Sequence, residues 1–132
     1  MLAAMSVYNS LAASQPDINA TVSASAGSGK TWLLITRIVR LLLAGATPGS
    51  ILALTFTRKA AAEMQIRLNE RLYELASCED DELIKMLEAI QTEASPENQR
   101  RARSLYEESL HSLHPARIQT FHSFCQDILA RF

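Results

Sequence analysis

The chain has 132 residues, which allows one domain, or part of one, with a real hydrophobic core. Its 13 Lys and Arg against 14 Asp and Glu leave a formal net charge of −1, which excludes a global basic field; a nucleic-acid partner would have to be met by a local patch. Two cysteines, Cys78 and Cys125, no basic leader across Met1–Met5, and a most apolar stretch (Trp32–Leu43) that is too short to span a bilayer and carries Arg37 and Arg40, together predict a cytoplasmic protein with reduced thiols and no membrane partner.

In chain order, Ser6–Ser14 reads as a short helix, broken at Gln15-Pro16-Asp17. Ala20–Ala24 reads as a strand, since Thr21 and Val22 favour β structure. It runs into Ala24-Ser25-Ala26-Gly27-Ser28-Gly29-Lys30-Thr31, a small-residue turn closed by Gly-Lys-Thr and followed by a long apolar helix. That arrangement is a phosphate cradle. Backbone N–H groups of Ala26, Gly27, Ser28 and Gly29 turn inward to phosphate oxygens, and the helix N-terminus adds its dipole. Lys30 brings a charge to the β- and γ-phosphates of ATP, and the Thr31 hydroxyl is a ligand for the accompanying Mg²⁺. Ala24 stands where the usual pattern has glycine, which is tolerable while its φ is negative.

The helix is expected over Gly29–Ala44, its polar residues Thr36, Arg37 and Arg40 forming one narrow stripe and the rest of its circumference buried. Gly45 reads as its C-cap and Pro48-Gly49 as a turn. Ile51–Phe56 is a continuous apolar run, as for a central parallel strand covered on both faces. A helix follows over about Arg58–Ala76, with Ala61, Met64, Leu68, Leu72 and Leu75 on one face. A helical pair is expected from Cys78 to about Leu113. Leu83, Ile84, Leu87 and Ile90 line its first member; Ser95-Pro96 opens the second, lined by Ala102, Leu105, Tyr106, Leu110 and Leu113. Ile118–Phe121 reads as a further short strand and His122–Phe132 as a helix start. Strands alternating with helices predict an α/β fold with a parallel sheet flanked by helices. With so few strands visible, the sheet is expected to be incomplete, and the chain to be the N-terminal part of a larger domain.

Two strand ends carry further chemistry. Thr55-Phe56-Thr57-Arg58-Lys59 joins a strand to a helix, where ligands of open α/β sheets bind. Hydroxyls, free helix N–H groups, Arg58 and Lys59 suit a nucleic-acid phosphate, and Phe56 offers a ring to a base. A buried Phe and a capped helix with solvated cations is the alternative. Gln119-Thr120-Phe121-His122-Ser123-Phe124-Cys125 repeats the theme: Thr120, His122 and Ser123 as donors, aromatics for stacking.

These three segments, in this order, resemble the phosphate-loop motif, the motif that follows it, and the T-F-H-S motif of superfamily 1 DNA helicases of the UvrD/Rep type, and are most similar to the RecB/AddA branch, in which the motor is often fused to a nuclease. The resemblance implies that residues 1–132 are the N-terminal part of the first RecA-like motor domain of a P-loop NTPase, with a helical insertion at about 78–114. It implies Mg·ATP at Lys30 and Thr31, and single-stranded DNA along Phe56, Thr57, Thr120 and His122. The implied partners are single-stranded or duplex DNA, a second RecA-like domain from the rest of the helicase chain, and a further protein of the repair complex. Arg37 matches a family position that approaches nucleotide. Asn9, counted back from Lys30, falls where the family has its adenine-reading glutamine; it keeps the amide on a shorter arm. No apolar strand ends in Asp-Glu, and Glu107-Glu108 lies on a helical pattern, so the pair that holds Mg²⁺ and activates water is not seen. The chain is expected to bind nucleotide without turning it over efficiently by itself.

Other readings remain open: a P-loop kinase for a small molecule, or a non-catalytic nucleotide- and DNA-binding module. His111, His114, His122 and Cys125 have a spacing able to hold zinc. Gln99-Arg100-Arg101-Ala102-Arg103 is a basic cluster that either touches DNA or is a solvated helix face.

Overall fold

A computed structural model describes residues 11–22 and 29–132 of the chain. Residues 6–10 of the helix expected over Ser6–Ser14, with Asn9 among them, and the turn residues 23–28, including Ala26, Gly27 and Ser28, lie outside the described residues.

The described elements run α1 (Lys30–Leu43), a 3-10 turn (Pro48–Ser50), β1 (Leu52–Thr55), α2 (Arg58–Ser77), α3 (Asp80–Ala89), α4 (Pro96–His111), β2 (Arg117–Thr120) and α5 (Phe121–Leu129). The two strands pair in parallel, Leu52 opposite Arg117 through Thr55 opposite Thr120. Parallel neighbours need a long crossover, and α2, α3 and α4 supply it.

Local sequence chemistry sets the element ends. α1 closes in a Schellman motif: Gly45, at φ +109°, donates to the Leu42 carbonyl and Ala46 to that of Leu41. α3 closes the same way, but with a non-glycine residue, Gln91, in the left-handed position at φ +56°. The Thr57 Oγ1 caps α2 by accepting from the Ala60 N–H at 3.1 Å, and Ser95 caps α4 through the Asn98 N–H, with Pro96 next in line.

The core is mainly helix on helix. Ala61, Met64, Leu68, Leu72 and Leu75, the stripe expected on α2, are all buried. Met64, Leu68, Leu72 and Leu75 share one core with Ile35, Ile38, Val39, Leu42 and Leu43 of α1, Leu83 and Leu87 of α3, and Ala102 and Leu105 of α4. Each such Leu contributes roughly 1.5–3 kcal/mol by leaving water.

Four expectations are corrected. On α1 the polar stripe is not the solvent face: Thr36 and Arg40 are buried, while Trp32 and Leu34 are partly exposed. The segment from Leu11 to Ile18 lies over that stripe and its carbonyls accept from the two arginines, so the polar side is covered and the flank is not. Of the strand expected over Ala20–Ala24, residues 23 and 24 lie outside the described residues, and Ala20–Val22 joins no ladder among the described residues, whose sheet has the two strands β1 and β2; the β propensity of Thr21 and Val22 needs a paired neighbour to become a strand. β1 is not covered on both faces, for Leu52 is exposed and Ala53, Leu54 and Thr55 only half-buried. On α4 the apolar line stops short, Leu110 being 62% and Leu113 92% exposed. Leu110 lies one turn beyond Tyr106, on the flank of the helix and not on the buried line of Ala102 and Leu105.

The basic cluster is neither of the two things expected of it as a whole. Arg101 Nε donates to the Leu42 carbonyl at 2.7 Å, and Arg103 to the Leu75 carbonyl at 3.2 Å and to Asp80 at 2.8 Å. Both carbonyls lie in the last turns of helices, where such groups lack intrahelical partners and favour a cation. Arg100 alone is left on the solvated face.

Candidate nucleotide and nucleic-acid site

The first centre is the start of α1. Gly29 takes the N-cap position at φ +87°, a conformation that side chains other than glycine's rarely adopt. The first intrahelical bond is from the Leu33 N–H to the Gly29 carbonyl at 3.0 Å, so the N–H groups of Lys30, Thr31 and Trp32 have no acceptor within the helix. Among the described residues no side chain caps this end, and no acid lies in its first turn, whereas α3 begins with Asp80, Asp81 and Glu82. Lys30 is exposed there. An uncapped N-terminus without carboxylates, facing solvent beside a lysine, fits a polyphosphate. The Thr31 hydroxyl, half-buried at the same end, fits a ligand for the metal that accompanies it.

Beside Lys30 lies a cleft of about 420 Å³, with Asn19, Ala20 and Val22 facing Lys30, Leu33 and Leu34. Arg37 borders it, but the guanidinium donates to the carbonyls of Ala13 at 2.7 Å and Ile18 at 2.6 Å. Arg37 thus holds the chain before the turn while bordering the cleft. Sequence reasoning missed the Asn19 wall, because the residues before the turn read only as a strand and its lead-in.

The second centre is the junction of the two strands with the helices that follow them. The register sets Thr55 beside Thr120, which brings the next residues together: the rings of Phe56 and Phe121 lie 5.1 Å apart, tilted by 37°. Phe56 is nonetheless 90% exposed, an uncommon placement for a ring of that size. Arg58 and Lys59 open α2 directly after it, exposed and without ion pairs among the described residues. Of the two readings of this segment, the buried Phe is set aside.

The threonines have structural duties. Thr57 Oγ1 is the α2 cap. Thr120 is buried; its Oγ1 accepts from the Ser123 N–H at 3.1 Å and donates to Ser123 Oγ at 3.0 Å, capping α5. Thr55 donates to the Thr57 carbonyl at 3.1 Å. His122 is exposed, one ring nitrogen 3.2 Å from the Gln126 amide. The candidate residues thus divide into exposed groups that can meet a ligand (Phe56, Arg58, Lys59, His122) and hydroxyls that shape the two helix starts. The role of Phe121 as partner to Phe56 had a signal in the sequence, since Thr55-Phe56 and Thr120-Phe121 repeat one dipeptide at two strand ends.

The zinc spacing does not become a site: among the described residues, no group of three or more His, Cys, Asp or Glu can hold a metal ion. Cys78 and Cys125 are free thiols. No described helix is long and apolar enough to cross a membrane. Glu107 and Glu108 lie on α4, exposed, as expected.

Comparison with protein families decides the lineage. The model of the UvrD/REP helicase N-terminal domain matches residues 7–132. The chain belongs to this family. Curated relatives of this UvrD/REP chain each carry the name of a subunit of an ATP-dependent helicase/nuclease. One from Lactobacillus gasseri is 35% identical over 84% of this chain and 8% of its own length. One from Enterococcus faecalis is 32% identical over 88% of this chain and 8% of its own. One from Streptococcus agalactiae is 47% identical over 52% of this chain and 6% of its own. The UvrD/REP chain therefore spans less than a tenth of the length of these relatives. No solved structure matches it.

Proposed function

We propose that this chain is the nucleotide-binding, strand-gripping part of an ATP-dependent DNA helicase of the helicase/nuclease kind, acting in DNA repair or recombination. The observation that carries the DNA half is the junction of the two strands: an exposed Phe56 ring backed by Phe121 at 5.1 Å, with Arg58 and Lys59 beside it. A ring held on one side and open on the other is a platform for an unstacked base, and two cations at a helix start suit the neighbouring phosphate.

In this reading residues 1–132 form the N-terminal part of the first RecA-like motor domain, with the helices of about 78–114 as an insertion, and a second RecA-like domain faces the nucleotide. Lys30 and the amides at the start of α1 hold the β- and γ-phosphates of ATP. Thr31 would hold Mg²⁺, which when bound supplies charge neutralisation for phosphoryl transfer. Ala26, Gly27, Ser28 and Gly29 belong to the same sequence pattern, and Asn9 stands at the sequence position of the family's adenine-reading glutamine. The acid that activates water and the arginines that stabilise the leaving phosphate have no counterpart among these residues, so turnover belongs to the intact gene product. Opening and closing of the nucleotide cleft would alter the hold of Phe56 and His122 on the strand. Two free thiols fit a reducing compartment such as the cytoplasm. A second protein in the complex is expected from the relatives' names, which describe each as one subunit of an enzyme. A small-molecule kinase shares the cradle but gives no reason for Phe56 or for the UvrD/REP match.

The test is single-strand affinity of the intact gene product. Phe56→Ala is expected to weaken binding of an oligonucleotide by about tenfold with an unchanged salt slope, the loss of one stacked base. Arg58→Ala is expected to lower the slope of log affinity against log salt by about one. Unchanged affinity in both variants would remove the DNA reading of this surface.

A further inference from the structure

Arg40 is 8% exposed and takes no part in the phosphate or DNA sites described above. Its Nη1 donates to Ser14 Oγ at 2.7 Å and to the Leu11 carbonyl at 3.1 Å. Ser14, with no exposed surface, donates its hydroxyl to the same Leu11 carbonyl at 2.7 Å. The three groups form a closed triangle. Arg37 grips the same segment from the neighbouring position, through the carbonyls of Ala13 and Ile18. Burial lowers the Arg40 pKa and the charge of Asp17 raises it, but a guanidinium stays protonated throughout. A cation taken out of water among neutral partners is costly unless its hydrogen bonds are all well made. Here they join the segment before the phosphate turn to the helix that begins at Lys30.

That segment is also a wall. Asn19, Ala20 and Val22 face Lys30, Leu33 and Leu34 across the cleft of about 420 Å³, a volume in the range of small-ligand sites. Phosphates held at Lys30 leave the sugar and base to be received further along, where apolar side chains and one amide suit a heterocycle. We propose that Arg40 and Ser14 are positioning residues for the base side of the nucleotide, fixing the 11–22 wall relative to the phosphate-binding start of α1. This rests on the nucleotide reading above. The clamp touches no nucleotide itself; it acts through the wall it holds.

The intact gene product with Mg²⁺ separates the two ends of the ligand when ATP is compared with inorganic tripolyphosphate, which has phosphates and no base. Arg40→Met is expected to weaken ATP by about tenfold and Ser14→Ala by about threefold, as for lost buried hydrogen bonds. Tripolyphosphate affinity should stay within about twofold in both, and Arg40→Lys should recover part of the ATP loss. ATP affinity unchanged, or ATP and tripolyphosphate weakened by the same factor alongside a lower Tm, would show a merely structural clamp and overturn the proposal. If Arg40→Met does not fold, Ser14→Ala, which removes one hydroxyl, carries the same test. Lys30→Ala marks the other failure: if it weakens neither ligand, the nucleotide reading itself falls, and the positioning role with it.

Discussion

At the scale of single residues, backbone conformation and close approach give the sharpest expectations. Gln91 closes α3 from the left-handed region at φ +56°, where a Cβ is strained and glycine is not. Gln91→Gly is expected to raise stability by about 1 kcal/mol, read as a higher midpoint in urea with the same slope. Gly49 shows the reverse case. A Cβ there would meet the Cβ of His114 at 2.8 Å and its carbonyl oxygen at 3.1 Å, so the turn before β1 and the entry to β2 touch through the missing side chain. Gly49→Ala is expected to destabilise by about 1–3 kcal/mol, and an unchanged Tm would show that this approach relaxes freely. Residue roles were unevenly legible. The placement of Lys30 and Thr31 at a helix start follows from the Gly-Lys-Thr pattern, and the exposure of Arg58 and Lys59 from their place at a strand end. Arg40 did not, because helical periodicity puts a charge on the outside and only the covering segment shows otherwise.

At the scale of elements, the helices were the most legible part of the chain. The α2 stripe from Ala61 to Leu75 is continuous in the sequence and buried in the fold, since a long helix repeats its signal over many turns. Leu72→Ala, at the centre of this stripe, is expected to cost about 2–5 kcal/mol, while Leu113→Ala, on an exposed side chain, should leave the unfolding midpoint unmoved. The strands were less legible. β1 and β2 are each four residues long, too short for periodicity to tell which face is covered, and Ala20–Val22 shows that β-type residues form no strand without a partner. Inter-element arginines were hidden in a different way. Arg101 and Arg103 are charged residues on a polar helix, and only the helix ends they meet at Leu42 and Leu75 give them a function. Arg101→Met is expected to lower stability by about 1–2 kcal/mol, with single-strand affinity unchanged, which separates its packing role from a DNA role.

At the scale of the whole molecule, the order of three short segments says more than any one of them. A phosphate turn, a strand ending in Thr55-Phe56 and a strand ending in Thr120-Phe121 resemble the UvrD/Rep motors, and the family match over residues 7–132 agrees. The parallel register then explains why two such distant dipeptides belong to one surface: pairing Thr55 with Thr120 leaves no other place for the two rings. The proposed coupling between the nucleotide and strand sites has no signature in local spacing, because it depends on parts that face one another across a cleft. The relatives' far greater length is consistent with that division of labour.

In the proposed reading, nucleotide turnover by the intact gene product is driven by DNA. ATP hydrolysis by the intact gene product, measured with and without single-stranded DNA and beside Lys30→Ala, tests it most directly. The expected result is turnover that rises strongly with single-stranded DNA and is abolished by the substitution. Turnover indifferent to DNA, with Lys30 still required, would contradict the motor and leave a nucleotide-binding enzyme of another kind.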